Sequence, residues 1–95
     1  MRPRYRIVKY RHLDRDLGKI PAGPQQAVRE AISALADNPR PPGSKRLQGQ
    51  RRDENFRRVR VGVYRVIYDV DDDAQLVRIV LAGHRQNVHQ LFGRQ

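Results

Sequence analysis

The chain has 95 residues, which is enough for a single domain over 1–95 and leaves no room for a second core. Its 20 Lys and Arg residues against 10 Asp and Glu give a formal net charge of +10, so nucleic acid is the favoured partner, ahead of an acidic protein segment. No apolar run of membrane-spanning length and no signal-peptide core occurs, which argues against a membrane. Cysteine is absent, which excludes disulfides, thiol nucleophiles and thiolate metal sites and fits a reducing cytoplasm.

The first part of the chain predicts a strand followed by two helices. Residues 5–10 mix β-branched and aromatic side chains with charges, which is typical of a strand. Residues 13–20 carry apolar side chains at helical spacing, which predicts a short helix that ends at Pro21. A second helix begins at Gly23-Pro24 and stops at Asn38-Pro39. Its apolar stripe comprises Val28, Ala31, Ile32 and Leu35.

The second part predicts a long connection and three strands. Residues 38–55 hold three prolines and two glycines, which indicates an irregular segment, and Leu47 is its expected anchor in the core. Strands follow at about 56–61, 63–70 and 75–83. The order β-α-α-β-β-β predicts an α+β fold in which an antiparallel-dominated sheet packs against two N-terminal helices.

Strand parity places several arginines on one face of this sheet. A two-residue turn at 62–63 makes Arg60 and Arg65 direct cross-strand neighbours, with Arg58 two residues along on the same face. Like charges directly opposite destabilise a sheet by up to about 1 kcal/mol, which indicates that an anion binds there. The alternative is that these arginines merely solvate an exposed face. The core face is predicted to carry Val59, Val61, Tyr64, Val66, Tyr68, Val70, Val77, Ile79 and Leu81.

The end of the last strand brings further chemistry to the same rim. Gly83-His84-Arg85 lies beside the turn at 62–63, and His89 follows Arg85 at the spacing of one helical turn. Arginines stabilise charge that develops on phosphorus, and histidine moves protons near neutral pH. For His84 a structural hydrogen bond at the strand end is the favoured role. The three histidines lie far apart without a matching carboxylate arrangement, so neither a metal site nor a cofactor is expected.

Several ordered motifs resemble the RelE/ParE toxin superfamily. Residues 56–70, FRRVRVGVYRVIYDV, are similar to the family pattern R-I-R-x-G-x-Y-R-x-x-Y, and residues 83–85 match its later G-H-R. Upstream, residues 34–39 and 45–49 resemble the patterns L-x-x-N-P and K-x-L-x-G. The resemblance spans essentially the whole chain and implies the RelE-like microbial RNase fold.

The resemblance also implies a function, a site and partners. The chain would be the toxin of a type II toxin–antitoxin system, a metal-independent, ribosome-dependent endoribonuclease that cleaves mRNA by attack of the 2′-hydroxyl on the adjacent phosphate. Arg65 and Arg85 would stabilise phosphate charge, and His89 would be an acid or base where many relatives have Tyr. The expected RNA-binding residues are Lys45, Arg46, Arg57, Arg58 and Arg60. The expected partners are an acidic cognate antitoxin in a hetero-oligomer and, in the cytoplasm, mRNA on the ribosome with contacts to 16S rRNA.

Two other functions fit the same sequence. A ParE-type toxin would bind and poison DNA gyrase with this fold and no ribonuclease activity, because fold does not fix function. A plain RNA-binding module, or a decayed toxin that only occupies its antitoxin, is the third possibility. The ribonuclease is preferred because ParE-type chains tend to lack the full basic set.

Overall fold

The computed structural model describes residues 4–47 and 55–93. In chain order its elements are β1 (Arg6–Val8), α1 (Leu13–Gly18), α2 (Ala22–Ala34), β2 (Lys45–Arg46), β3 (Arg57–Val61), β4 (Tyr64–Asp71), β5 (Leu76–His84) and α3 (Arg85–Phe92). The strands form one sheet in the order β1-β5-β4-β3-β2, antiparallel throughout except where β1 runs parallel to β5. The predicted α+β class is confirmed, and the structure adds β2 and α3 to the predicted order.

Two helices cover one side of the sheet, which we call the helix face. Helix α1 packs on β5, and α2 packs on β3 and β4. The predicted stripe of α2 is confirmed, because Val28, Ile32 and Leu35 are buried and Ala31 is half-buried. The main core joins these helices to residues of the sheet, namely Val66, Tyr68, Val77, Ile79 and Ala82.

A smaller core lies on the opposite side of the sheet. We call this side the arginine face, because alternate strand positions place on it Arg58, Arg60 and Arg65. Helix α3 packs there on β4 and β5. The buried residues of this core are Leu47, Ile67 and Val88. The predictions that Leu47 anchors its segment and that Phe92 is a packing residue are both confirmed, the latter by an edge-on contact with Phe56 at 6.4 Å between ring centroids.

A β-bulge corrects the predicted position of Leu81. Ile67 pairs with Leu81, but the next residue, Tyr68, pairs with Ile79, so Val80 is an extra residue in β5. Side chains beyond the bulge therefore change faces relative to the predicted alternation. The expectation that Leu81 shares the main core with Ile79 is wrong, since Leu81 packs in the smaller core under α3.

The irregular connection contains a short edge strand that the sequence did not indicate. Strand β2 pairs with β3, so that Lys45 faces Arg58 and Arg46 faces Arg57. The sequence does not predict β2, because its two basic residues give no hydrophobic alternation. Residues 48–54, which include Gly49 of the family pattern, lie outside the described residues.

The tight turn between β3 and β4 is the predicted one. Gly62 has φ +60°, the conformation that the first central residue of a type II′ hairpin turn requires and that glycine adopts without strain. Arg60 consequently pairs with Arg65, and Val61 with Tyr64. No helix in the described ranges is both long and apolar enough to cross a membrane.

Candidate functional site

The arginine face holds two buried guanidinium side chains next to an exposed one. Only 5% of Arg58 and 8% of Arg65 is exposed, whereas Arg60, directly opposite Arg65, is exposed. Arg58 and Arg65 therefore do not merely solvate an exposed face of the sheet, because charged side chains are rarely buried to this extent. The sequence predicted their common face correctly. It could not predict their burial, because hydropathy places arginines on the surface.

Main-chain carbonyls orient both buried side chains. Nη1 of Arg65 donates hydrogen bonds to the carbonyl oxygens of Gly62 and Tyr64, at 2.9 and 3.0 Å. Nη1 of Arg58 donates to the carbonyl oxygen of Gly43 at 3.1 Å. Nε of Arg65 is buried without a hydrogen-bond partner among the described residues. These contacts fix the guanidinium groups in place without neutralising their charge.

The local electrostatics show that the arginines act on one another. Burial lowers the pKa of Arg58, and the charges of Arg60 and Arg65 lower it further. Burial likewise lowers the pKa of Arg65, with added contributions from Arg60 and Arg85. We call Arg58, Arg60, Arg65 and Arg85 the arginine cluster. Within residues 4–47 and 55–93, no carboxylate forms an ion pair with any member of this cluster.

Carboxylates that neutralise other arginines lie elsewhere on the surface. Asp72 holds Arg40 through two hydrogen bonds at 2.9 and 3.1 Å, and Asp69 holds Arg78 at 2.9 Å. Pairing is thus available to arginines in this chain, while the cluster is left with concentrated positive charge. Such a site favours an anion with several acceptor oxygens, for which guanidinium groups offer paired donors.

Helix α3 delivers Arg85 to the rim of the site. The main-chain N–H of Arg85 donates to the carbonyl oxygen of Val63 at 2.7 Å, which ties the start of the helix to the β3–β4 turn. His84 caps the same helix end, because its Nδ1 accepts a hydrogen bond from the N–H of Gln86 at 3.2 Å. The structural role expected for His84 is confirmed.

His89 belongs to the stripe of α3 that begins at Arg85. It is exposed and follows Arg85 by one helical turn, in the same stripe as Phe92, which packs against Phe56 at the start of β3. A proton acceptor or donor at this position is open to solvent. The assignment of His89 as acid or base stays a prediction.

The remaining basic candidates divide between the two faces of the sheet. Lys45 faces Arg58 and so belongs with the arginine face, whereas Arg46 and Arg57 share the opposite face. Nη2 of Arg57 donates to the hydroxyl of Ser44 at 3.0 Å and to its carbonyl oxygen at 3.4 Å. Arg57 thus fastens the connection to β3, a role that no sequence pattern indicated.

The described residues around the cluster offer hydrogen-bond donors rather than a set of metal ligands. In the part of the chain that the structure describes, no three His, Asp or Glu side chains come together as a possible metal site. The chemistry that the cluster offers is therefore that of hydrogen-bond donors and positive charge. Both stabilise an anion whose charge increases during a reaction.

Comparison with known proteins assigns the family. The model of the ParE toxin of type II toxin–antitoxin systems matches residues 10–89. The toxin of the RelBE2 complex from Mycobacterium tuberculosis is 30% identical, with a TM-score of 0.70 over 88% of this chain and 100% of that one. This chain belongs to the RelE/ParE superfamily of type II toxin–antitoxin toxins. No curated protein matches the sequence of this toxin with significance.

Two further solved structures are similar to this toxin. The archaeal RelE–RelB complex from Pyrococcus horikoshii gives a TM-score of 0.73 at 26% identity, over 86% of this chain and 96% of that one. The RelB–RelE complex from Methanococcus jannaschii gives 0.68 at 19% identity, over 90% and 98%, which supports the fold alone. The family model names ParE and the structures name RelE, so membership of the superfamily is common to both descriptions.

The geometry explains why the motifs of this toxin occur together. In the central pattern, the alternate arginines occupy the arginine face and the turn glycine sets the register. Tyr68 is buried on the helix face, and its hydroxyl donates to the carbonyl oxygen of Pro39 at 2.7 Å, which joins the central pattern to the N-P motif. Lys45 and Leu47 of the K-x-L motif place a cation opposite Arg58 and an anchor in the smaller core.

Proposed function

We propose that this toxin is a ribosome-dependent endoribonuclease that cleaves mRNA in the cytoplasm. The observation that carries the proposal is the arginine cluster, in which Arg58 and Arg65 are buried and no described carboxylate pairs with any member. Desolvated positive charge held by main-chain carbonyls is unfavourable for folding and favourable for binding a phosphate. The RNA backbone supplies such phosphates in a row.

The proposed reaction uses the substrate's own 2′-hydroxyl as nucleophile. Its oxygen forms a bond to the adjacent phosphorus, the bond from phosphorus to the 5′-oxygen breaks, and the products carry a 2′,3′-cyclic phosphate and a 5′-hydroxyl. The proton of the 2′-hydroxyl leaves to a base, and another proton reaches the departing 5′-oxygen. His89 is the proposed carrier of one of these transfers, and neither a metal ion nor a cofactor takes part in the proposed reaction.

Roles within the cluster follow from position. Arg65 and Arg85 stand at the strand end, where they stabilise the additional negative charge of the pentacoordinate phosphorus. Arg58, Arg60 and Lys45 extend from there along the arginine face and bind neighbouring phosphates. Arg46 and Arg57 lie on the other face, and their contribution to RNA binding is indirect.

The exposure of Arg60, Arg85 and His89 supports ribosome dependence. Side chains that are open to solvent constrain an RNA strand less than an enclosed cavity would, so the toxin alone aligns it poorly for in-line attack. A ribosome that holds the message, with its 16S rRNA contacting the basic surface, supplies the missing alignment. Correct alignment of reacting groups can contribute several orders of magnitude in rate.

An acidic antitoxin is the proposed inhibitor. The similar solved structures from Pyrococcus horikoshii and Methanococcus jannaschii are complexes of RelE with RelB. By analogy, an acidic segment of the cognate antitoxin covers the arginine face in a hetero-oligomer. Complementary charge speeds this association and suppresses binding to other partners.

Poisoning of DNA gyrase is the second candidate function. The observation that favours it is the matching family model, which is described as ParE toxin. In that case the arginine cluster would bind a protein surface or a phosphate of DNA, and it would not cleave RNA. The two functions separate cleanly, because one produces cut messages and the other produces DNA damage.

The test is induction of the toxin in bacteria with mapping of new 5′ ends on translated messages. The wild type should cut within codons, and Arg65→Ala and Arg85→Ala should each reduce cutting by about 100- to 1000-fold and abolish growth arrest. Arg6→Ala is the matched control, since Arg6 is an exposed strand arginine on β1, at the opposite edge of the sheet. Full toxicity of both folded variants would refute the site assignment. Arrest with intact messages and a strong DNA-damage response would establish gyrase poisoning instead.

A further inference from the structure

A cleft of about 370 Å³ opens beside the arginine cluster, at the end of β5. Its apolar walls are Ile20, which follows α1, and Leu81 and Val88, which belong to β5 and α3. Strand β1 covers only Leu76–Arg78, so the later part of β5 has no described strand neighbour on this side. The cleft thus occupies the gap between α1 and α3, where the sheet edge is open.

Polar side chains line the same cleft, and all but Asp16, which accepts a hydrogen bond from the hydroxyl of Tyr10 at 2.8 Å, are available to a ligand. The polar side chains are Asp16, Lys19, Tyr64, His84 and Asn87. Among the described residues, neither the hydroxyl of Tyr64 nor the amide of Asn87 has a hydrogen-bond partner. His84 uses Nδ1 to cap α3, which leaves Nε2 as the donor of its neutral ring. The rings of Tyr64 and His84 meet at 84°, with centroids 5.8 Å apart, and form one corner of the cleft.

The cleft opens at the same strand end as the proposed phosphate site, because Gly83, the cross-strand partner of Arg65, lines it. Tyr64 and His84 are cross-strand partners, and each is the chain neighbour of one cluster arginine, Arg65 or Arg85. Arg65 also donates to the carbonyl oxygen of Tyr64 at 3.0 Å, so its guanidinium group turns towards this end of the strand. The side chains of Tyr64 and His84 lie on the helix face, opposite to that of Arg65, so a base attached to a phosphate held by both arginines would reach the cleft over the end of the sheet.

The lining matches the chemistry of a nucleobase. A base has two apolar faces and an edge of alternating hydrogen-bond donors and acceptors, and the cleft combines apolar walls with the free donors and acceptors of Lys19, Tyr64, His84 and Asn87. Its volume falls within the range of about 300–1,000 Å³ that small-molecule sites occupy. We propose that this cleft binds one RNA base next to the phosphate held by Arg65 and Arg85, and so biases the choice of cleavage site. The inference rests on the proposed ribonuclease function.

The first test compares two small ligands by NMR titration of the purified toxin. Nucleoside 5′-monophosphates carry base, sugar and phosphate, whereas ribose 5-phosphate lacks the base. Both should shift amide signals on the arginine face, and the nucleotides alone should also shift those of Gly83, His84 and Asn87. Equal shifts from the two ligands, with the cleft unmoved, would overturn the base site and leave the phosphate site standing. Nucleotide shifts confined to the cleft would support the base site and count against the proposed function.

The second test compares cleavage maps of two variants of α3. Asn87→Ala removes a cleft amide, while Gln90→Ala removes an exposed amide outside the cleft on the same helix. Asn87→Ala should reduce the base preference beside the cleaved bond by about 2- to 12-fold, the effect of one lost hydrogen bond. Gln90→Ala should leave it unchanged. An identical base preference in both variants would overturn the inference.

Discussion

Replacement of Arg60 by Gln should stabilise the folded toxin and weaken RNA cleavage at once. Arg60 lies directly opposite Arg65, and its charge lowers the pKa of both Arg58 and Arg65. Like charges that face each other across strands are destabilising by about 0.2–1 kcal/mol. Arg60→Gln should therefore raise the free energy of unfolding by about 0.5–1 kcal/mol at low salt. In a domain of this size that corresponds to a rise in Tm of about 2–8 °C.

Thermal unfolding followed by circular dichroism measures this effect. Arg6→Gln is the matched control, because Arg6 is an exposed strand arginine whose cross-strand partner is Leu76. The stabilisation should occur only in Arg60→Gln and should shrink at about 1 M salt, where the Debye length falls to about 3 Å. A lower Tm for Arg60→Gln at low salt, or an equal rise in Tm in both variants, would refute the view that charge repulsion within the arginine cluster destabilises the fold.

Three further predictions concern stability. Arg57→Ala should lower the free energy of unfolding by about 1–3 kcal/mol in urea titrations, since its guanidinium group fastens Ser44 to β3; loss of RNA binding at unchanged stability would identify Arg57 as a direct RNA ligand instead. Leu47→Ala should cost about 2–5 kcal/mol, because it empties the smaller core, and a cost well below that range would show that the core is not formed there. Arg40 and then Tyr5 hold the pKa of Asp72 below its ordinary value of 3.8, so this stabilisation is complete above pH 3.8 and is lost as the pH falls further. Asp72→Asn should flatten acid unfolding in that window, and identical pH profiles of variant and wild type would contradict this contact.

The sequence predicted those parts of the site that alternation and turn chemistry control. The register of β3 and β4 followed from Gly62 and from the need to bury valines on one face, which fixed Arg60 opposite Arg65. The bulge at Val80 could not be predicted, since the run from Ile79 to Ala82 is entirely apolar and suits either face. It moved Leu81 to the arginine face, where α3 packs.

Burial within the site was the least predictable feature. Hydropathy places arginines on the surface, yet Arg58 and Arg65 are buried, and the guanidinium group of Arg58 donates to the carbonyl oxygen of Gly43 in the irregular connection. The placement of Lys45 and Arg46 on opposite faces depends on β2, a strand of two basic residues with no apolar pattern. Sequence position alone therefore grouped residues that the sheet assigns to opposite faces.

The most direct test of the ribonuclease proposal uses purified toxin and a ribosome paused on a defined message. The toxin should cut the message once near the vacant codon, leaving a 2′,3′-cyclic phosphate and a 5′-hydroxyl. A message with 2′-deoxyribose at the nucleotide that supplies the nucleophile should resist cleavage completely. Cleavage of the deoxy message would contradict the 2′-hydroxyl mechanism. An intact normal message, together with inhibition of DNA supercoiling by gyrase, would contradict the ribonuclease function itself.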